Sequence, residues 1–129
     1  MQFIYGLSKS GISLAKYLNK KNENFNCWDD DLKVRQRVKK LLKNTKLVNP
    51  KKNNLDVYDK IYVSPGISTR KKNFIKIKKY KSKLARDLNL YWLKIINQKI
   101  VAVTGTNGKS TTTKLIGEIL INSNFSTFV

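Results

Sequence analysis

Residues Val101 to Leu120 read VAVTGTNGKSTTTKLIGEIL, an apolar run, a turn bracketed by Gly105 and Gly108, and an amphipathic run opening on Lys109, Ser110 and Thr111. Few strings limit a fold more. The apolar run is strand-like, the glycines allow a tight path that a side chain would block, and the residues that follow suit a helix. A strand feeding a glycine turn and then a helix gathers backbone N–H groups, Thr106 and Asn107 among them, around the positive end of a helix dipole. Such a point attracts an anion, and Lys109 adds a full charge suited to the β- and γ-phosphates of ATP. Ser110 supplies the first hydroxyl of the helix, placed to ligate Mg²⁺, and Thr111 stands next to it. The match to G-x-x-x-x-G-K-[ST] is incomplete, because Val103 occupies the place of the first glycine.

The same alternation runs through the rest of the chain. QFIY reads as a buried strand, GLSKSG as a turn, and Ile12, Ala15, Tyr17 and Leu18 recur at helical spacing. NFNCW is a second strand, closed by Asp29, Asp30 and Asp31. LKVRQRVKKLLK is an amphipathic helix, TKLVN a short third strand, and KIYVS a fourth that ends on the turn PGIS. DLNLYWLKII is a helix with Asp87 as its cap, whereas TRKKNFIKIKKYKSK reads equally as helix or loop. From Gln98 the pattern restarts as strand 99–104, phosphate turn, helix 110–122 and a last strand, FSTFV. This order predicts parallel α/β layers in two units, 1–97 and 98–129. A lone β-α-β unit cannot bury both faces of its strands, so the second unit is expected to be marginal.

Composition excludes several classes. No histidine is present, which removes imidazole metal sites and Ser-His-Asp triads from this chain. The single cysteine, Cys27, allows no intrachain disulfide and fits a reducing cytoplasm; on its strand it reads as buried and inert. The N-terminus lacks the pattern of a signal peptide, and no apolar run is long enough for membrane insertion. The net charge of +19 comes mostly from dispersed lysines, including the run from Arg70 to Lys83. Dispersed lysine reads as solvated surface, and no nucleic-acid-binding signature accompanies it. Trp28, Tyr91 and Trp92 read as core or interface packing.

Near the start, YGLSKSGISLAKYL sets Gly6 and Gly11 where a G-x-G-x-x-G fingerprint has its first and third glycines, with Ser8 in the second place. Asp29 ends the next strand, where a ribose-binding acid would stand. Alone, this pattern reads equally well as a structural turn with a solvent-facing aspartate.

VTGTNGKSTTT resembles the ATP-binding loop of the Mur ligases, the ATP-dependent amide-forming enzymes of peptidoglycan synthesis, and folylpolyglutamate synthases carry a similar loop. Three further blocks, GLSKSG, YVSPGIS and ARDLNLYW, resemble in order and spacing the first domain of the D-glutamate-adding branch of the Mur ligases. That resemblance spans nearly the whole chain. It implies a Rossmann-like parallel-sheet domain for UDP-substrate binding, followed by the first β-α-β unit of a P-loop ATPase domain. The substrates it implies are UDP-N-acetylmuramoyl-L-alanine and D-glutamate, handled by a cytoplasmic monomer with ATP and Mg²⁺. The carboxylate is activated as an acyl phosphate, which the amine of D-glutamate then attacks.

Lys9 and Ser10 would then meet the uridine nucleotide's phosphates, Asp29 and Asp30 would lie near the uracil end, and Gly66 would belong to the same wall. Lys109 would act on the transferring phosphate. The sequence departs from the family at Ser8, which replaces a glycine, and at Asp31, where some members carry arginine. The chain ends at Val129, shortly after the phosphate loop, which implies a fragment of a three-domain enzyme that does not complete ligation by itself. A folylpolyglutamate synthase-like ligase, a basic nucleic-acid-binding module and a remnant with sites but no catalysis stand as alternatives.

Overall fold

The computed structural model describes residues 1–42, 45–68, 70, 72–95 and 97–129. The chain divides into two compact units, Met1–Ile96 and Asn97–Val129.

In the first unit the elements run β1 (Gln2–Tyr5), α1 (Lys9–Lys20), β2 (Phe25–Trp28), α2 (Leu32–Leu41), β3 (Lys46–Leu47), β4 (Lys60–Val63), α3 (Lys72–Lys78), a 3-10 turn (Lys81–Lys83), β5 (Leu84–Ala85) and α4 (Asp87–Ile95). Every strand pairing is parallel, and the five strands lie in the order β3-β2-β1-β4-β5. β1 is central, with Tyr5 opposite Trp28 on one side and Val63 on the other. After β1 the chain builds outward through β2 and β3, then crosses back to lay β4 on the opposite side. The order therefore reverses between β1 and β4, and the crevice beyond their C-terminal ends is where open parallel sheets receive ligands.

Both faces of the sheet are covered, which is why its strands read as continuous apolar runs. On one face Phe3 and Tyr5 of β1 and Ile61 and Val63 of β4 pack with Leu55, Tyr58, Phe74, Ile77 and Tyr80. On the other, Ile4, Cys27 and Tyr62 pack with Leu14, Ala15 and Leu18 of α1 and Val38 of α2. The alternation of Phe3, Ile4 and Tyr5 between faces is the period of a strand. Phe3 and Tyr58 meet ring to ring, centroids 5.0 Å apart and tilted by 45°, a contact that contributes roughly 0.5–1.5 kcal/mol beyond burial.

The run open between helix and loop is helical over Lys72–Lys78, and Phe74 and Ile77 supply its buried side. β5 is absent from the sequence reading, because two residues are too few to show alternation. Lys43, Thr69, Lys71 and Ile96, which the sequence reading included in elements, lie outside the described residues. Tyr91 and Trp92, read as core or interface packing, are 60% and 55% exposed, which removes them from the core. With Leu88 they share one side of α4, at helical spacing, while Leu90 packs against the core on the α1 side of the sheet.

In the second unit the regular element is α5 (Lys109–Asn122). The strands expected at 99–104 and in FSTFV are not formed, since neither stretch has a hydrogen-bonded ladder among the described residues. Apolar content favours an extended path, but a strand exists only as one side of a pairing. The last residues return along α5 instead, with Phe125 N–H donating to Leu120 O at 3.0 Å and Val129 lying against Gly117. Gly117 is the one buried residue there among those described. No helix among the described residues is long and apolar enough to cross a membrane.

Candidate functional site

Two glycine turns feed helices, and both helix starts share a feature that α2 and α4 lack. Ser8 stands at the N-cap of α1, and Gly108, at φ 74°, at that of α5; neither gives a side-chain cap, and neither helix has an acid in its first turn. Their leading N–H groups are left to water or to a ligand. By contrast, α2 is closed by Asp31, whose carboxylate accepts the Lys33 N–H at 2.7 Å. α4 begins on Asp87, which accepts the Leu88 N–H at 3.0 Å, while Asn89 Oδ1 reaches back to the Arg86 N–H at 2.7 Å. Carboxylates occupy the starts of α2 and α4 themselves, whereas at α1 and α5 no carboxylate caps the first turn.

The first turn lies at the sheet's switch point. Gly6 N–H donates to Trp28 O at 2.8 Å and Ser64 N–H to Tyr5 O at 2.9 Å, so the ladders of β1 close on both sides just where the turn begins. Gly6 sits at φ 93°, and a Cβ there would come within 2.7 Å of both Ser64 and Ile67. At Gly11 the conflict is worse, 1.9 Å from the Gly6 carbonyl oxygen. Both glycines are thus demanded by how closely the turn, α1 and the Ser64–Ile67 turn approach one another.

Three hydroxyls meet in that crevice. Ser8 Oγ is 2.6 Å from Ser64 Oγ, and Ser10 Oγ is 3.1 Å from it. Ser64 is buried, a rarity for its type unless bonded, and these contacts satisfy it. They also explain why Ser8 gives no cap: its hydroxyl is turned toward β4. Ser10 therefore lies in the crevice, Lys9 is exposed beside it, and Gly66 is exposed with open space where a Cβ would go. Ser64 was not singled out by the sequence reading; its place before Pro65 and Gly66 gave no hint of a partner across the sheet.

Asp29 and Asp30 stand at the end of β2, as the sequence order requires. Asp29 accepts the Leu7 N–H at 2.7 Å and the Asp31 N–H at 2.9 Å. Asp30 accepts from the Tyr5 hydroxyl at 2.8 Å and the Trp28 indole at 3.3 Å. The structure brings Lys9, Ser10, Asp29 and Asp30 to the same end of one sheet, with the aspartates engaged by protein donors. Cys27, just before them, is fully buried, and burial with the nearby Asp29 charge pushes its thiol up to about 12. A thiol so held is no nucleophile at neutral pH.

In the second unit Gly105, at φ 150°, and Gly108 carry the turn, with open space at Gly108. Lys109 Nζ folds over the loop and donates to Gly105 O at 2.6 Å and Thr106 O at 3.1 Å. Asn107, Ser110 and Thr111 are exposed around it. Among the described residues there is no cluster of three metal-ligating side chains.

The family model for the N-terminal domain of MurD-like Mur ligases matches residues 1–85. The chain is also similar to UDP-N-acetylmuramoylalanine–D-glutamate ligases. That of Wolbachia pipientis wMel is 36% identical over 119 residues, covering 91% of this chain and 23% of the relative. The ligase of the Wolbachia of Brugia malayi is 38% identical over 122 residues, at 91% and 24% coverage. That of Clostridioides difficile is 30% identical over 133 residues, at 98% and 29%. This chain thus spans about a quarter of the length of these relatives. With its parallel sheet, its switch-point glycine turn and a match over residues 1–85, the chain belongs to the Mur ligase family, in its MurD-like branch.

Proposed function

We propose that this chain carries two phosphate-binding sites of a D-glutamate-adding ligase. The first unit binds the UDP moiety of UDP-N-acetylmuramoyl-L-alanine, and the second is the start of an ATP-binding domain. The observation that carries this is that α1 and α5, each fed by a glycine turn, start without a side-chain cap, whereas α2 and α4 each start on a carboxylate.

In the first site Lys9, Ser10 and the first-turn N–H groups of α1 hold the diphosphate, and Gly66 lets the opposite wall come close. In the second, Gly105, Thr106, Asn107 and Gly108 curve the backbone around the ATP phosphates, with Thr111 beside them. Lys109 exchanges its two carbonyl partners for phosphate oxygens and offsets their charge as it shifts. Ser110 is the protein ligand for Mg²⁺; when bound, the ion supplies further charge neutralisation at the phosphates. The reaction joins the carboxylate of the UDP-linked substrate to the amine of D-glutamate, with ATP as the source of the activating phosphoryl group. A reducing cytoplasm suits an enzyme whose one cysteine stays buried and unpaired.

Calorimetric titration of the chain with UDP, and separately with ATP and Mg²⁺, tests the reading. Saturable binding of both supports it. A chain indifferent to both that instead binds RNA with a steep loss in salt is a basic nucleic-acid module, and the proposal fails.

A further inference from the structure

At the end of the sheet away from the glycine turn, the face that carries Ile4, Cys27 and Tyr62 starts with a polar row. Side chains alternate along β1, so Gln2 lies on the same side as Ile4, and the register sets Lys60 beside it. An open crevice of about 400 Å³ has formed at this row, with Glu23, Tyr62 and Leu90 also in its lining. No residue of the two glycine turns takes part in it.

The polar groups of the crevice are unequally satisfied. Gln2 donates from its side-chain nitrogen to Glu23, which fixes the orientation of the amide. Its other end, Oε1, is buried and has no hydrogen-bond partner among the described residues. Buried acceptors are seldom left so, and this one calls for a donor from outside the chain. Met1 and Asp59 close on each other as an ion pair. Glu23 and Lys60 are then one acid and one base, each without an ion pair among the described residues. Burial and, after it, the nearby Glu23 charge push the Tyr62 phenol above its usual value, so it stays protonated.

An orphaned carbonyl oxygen beside a carboxylate suits an ammonium group, and a lysine suits a carboxylate. The Tyr62 ring and Leu90 suit hydrocarbon. A ligand with all three parts is neutral overall, so the net charge of +19 neither draws it in nor drives it off. We propose that this crevice binds a small zwitterion with an apolar body, the chemistry of a free aliphatic amino acid. Its ammonium donates to Gln2 Oε1 and Glu23, its carboxylate meets Lys60, and its side chain lies on Tyr62 and Leu90. Gln2 and Tyr5 mark opposite ends of β1, so the site is separate from the UDP-binding reading and does not rest on it.

The test is titration of the isotope-labelled full chain with L-leucine, read by amide chemical shifts, with melting as a check on folding. The expected result is saturable shifts centred on Gln2, Glu23 and Tyr62, with a Kd on the order of 1–10 mM. Gln2→Met, which removes the oxygen and keeps the length, and Glu23→Gln should each weaken binding roughly tenfold or more. Isoamylamine, which lacks the carboxylate, should bind less tightly than leucine. Absence of saturable shifts in the wild type overturns the proposal and leaves the Gln2 oxygen to water. Wild-type affinity in Q2M overturns it too, as does isoamylamine binding as tightly as leucine. Should Q2M fail to fold, E23Q decides, since Glu23 is exposed and its change leaves the core intact. Leucine affinity equal to wild type in E23Q overturns the proposal, and a loss at unchanged melting temperature upholds it.

Discussion

Asp29 Oδ2 accepts the backbone N–H of Leu7 at 2.7 Å, tying the end of β2 to the glycine turn that follows β1. The acid in the ribose-binding place of a nucleotide fingerprint is thus also a bolt on the turn. Asp29→Ala leaves the Leu7 N–H, on a fully buried residue, without its acceptor and is expected to cost about 1–3 kcal/mol. Asp29→Asn retains one acceptor oxygen and should cost less. Urea unfolding followed by tryptophan fluorescence measures both; a stability for D29A equal to wild type contradicts the assignment.

The glycines separate by what surrounds them. Gly11→Ala would push a Cβ to 1.9 Å from a backbone oxygen, so it should destabilise by about 3 kcal/mol or more. Gly66→Ala meets nothing within 4 Å and should change stability by less than about 0.5 kcal/mol. If Gly66 lines the UDP site, G66A weakens UDP binding at unchanged melting temperature. Both readouts come from one pair of melts with and without UDP.

Lys109→Met removes the charge from the phosphate loop. A hydrogen bond to a charged group is worth about 1.5–3 kcal/mol, so ATP affinity should fall roughly ten- to hundredfold. UDP affinity should not change. A fluorescent ATP analogue titrated against both proteins reads the difference, and equal affinities would remove Lys109 from the site.

Cys27 gives stability a pH dependence of known sign. Its folded-state thiol titrates near 12, against an ordinary value of 9.0, so the folded state binds the proton more tightly. The resulting stabilisation is fully present below about pH 9 and is lost as the pH rises toward about 12. Urea midpoints measured from pH 8 to 11 should fall less steeply in Cys27→Val than in wild type. In the native protein the thiol should resist alkylation at pH 8, and unfolding should release it.

Residues 98–129 should exchange their amide hydrogens faster than β1 and β4. β1 and β4 are nearly fully buried, whereas Gly117 is the one buried position described in the second unit. Hydrogen exchange read by mass spectrometry tests this, and equal protection across both units would refute it.

What was legible in the sequence followed from periodicity and from glycines. β1, β2 and β4 show as apolar runs because both faces of the sheet are covered, and α1 and α2 show at helical spacing. β5 is two residues long and carries no period, and the extended stretches flanking α5 showed apolar character without the pairing that makes a strand. At the crevice the residues of the glycine turn could be located from spacing alone. Ser64 could not, since its hydroxyl meets partners more than fifty residues away in sequence.

The three serines of the crevice admit a count of protons. Ser8, Ser10 and Ser64 own three hydroxyl hydrogens, and the two contacts that join them can use only two. Whichever way the hydroxyls rotate, one hydrogen is left over. In two of the three possible arrangements the spare hydrogen is on Ser8 or Ser10, at the start of α1, where an anion's oxygen can take it; in the third it is on buried Ser64 and turns inward.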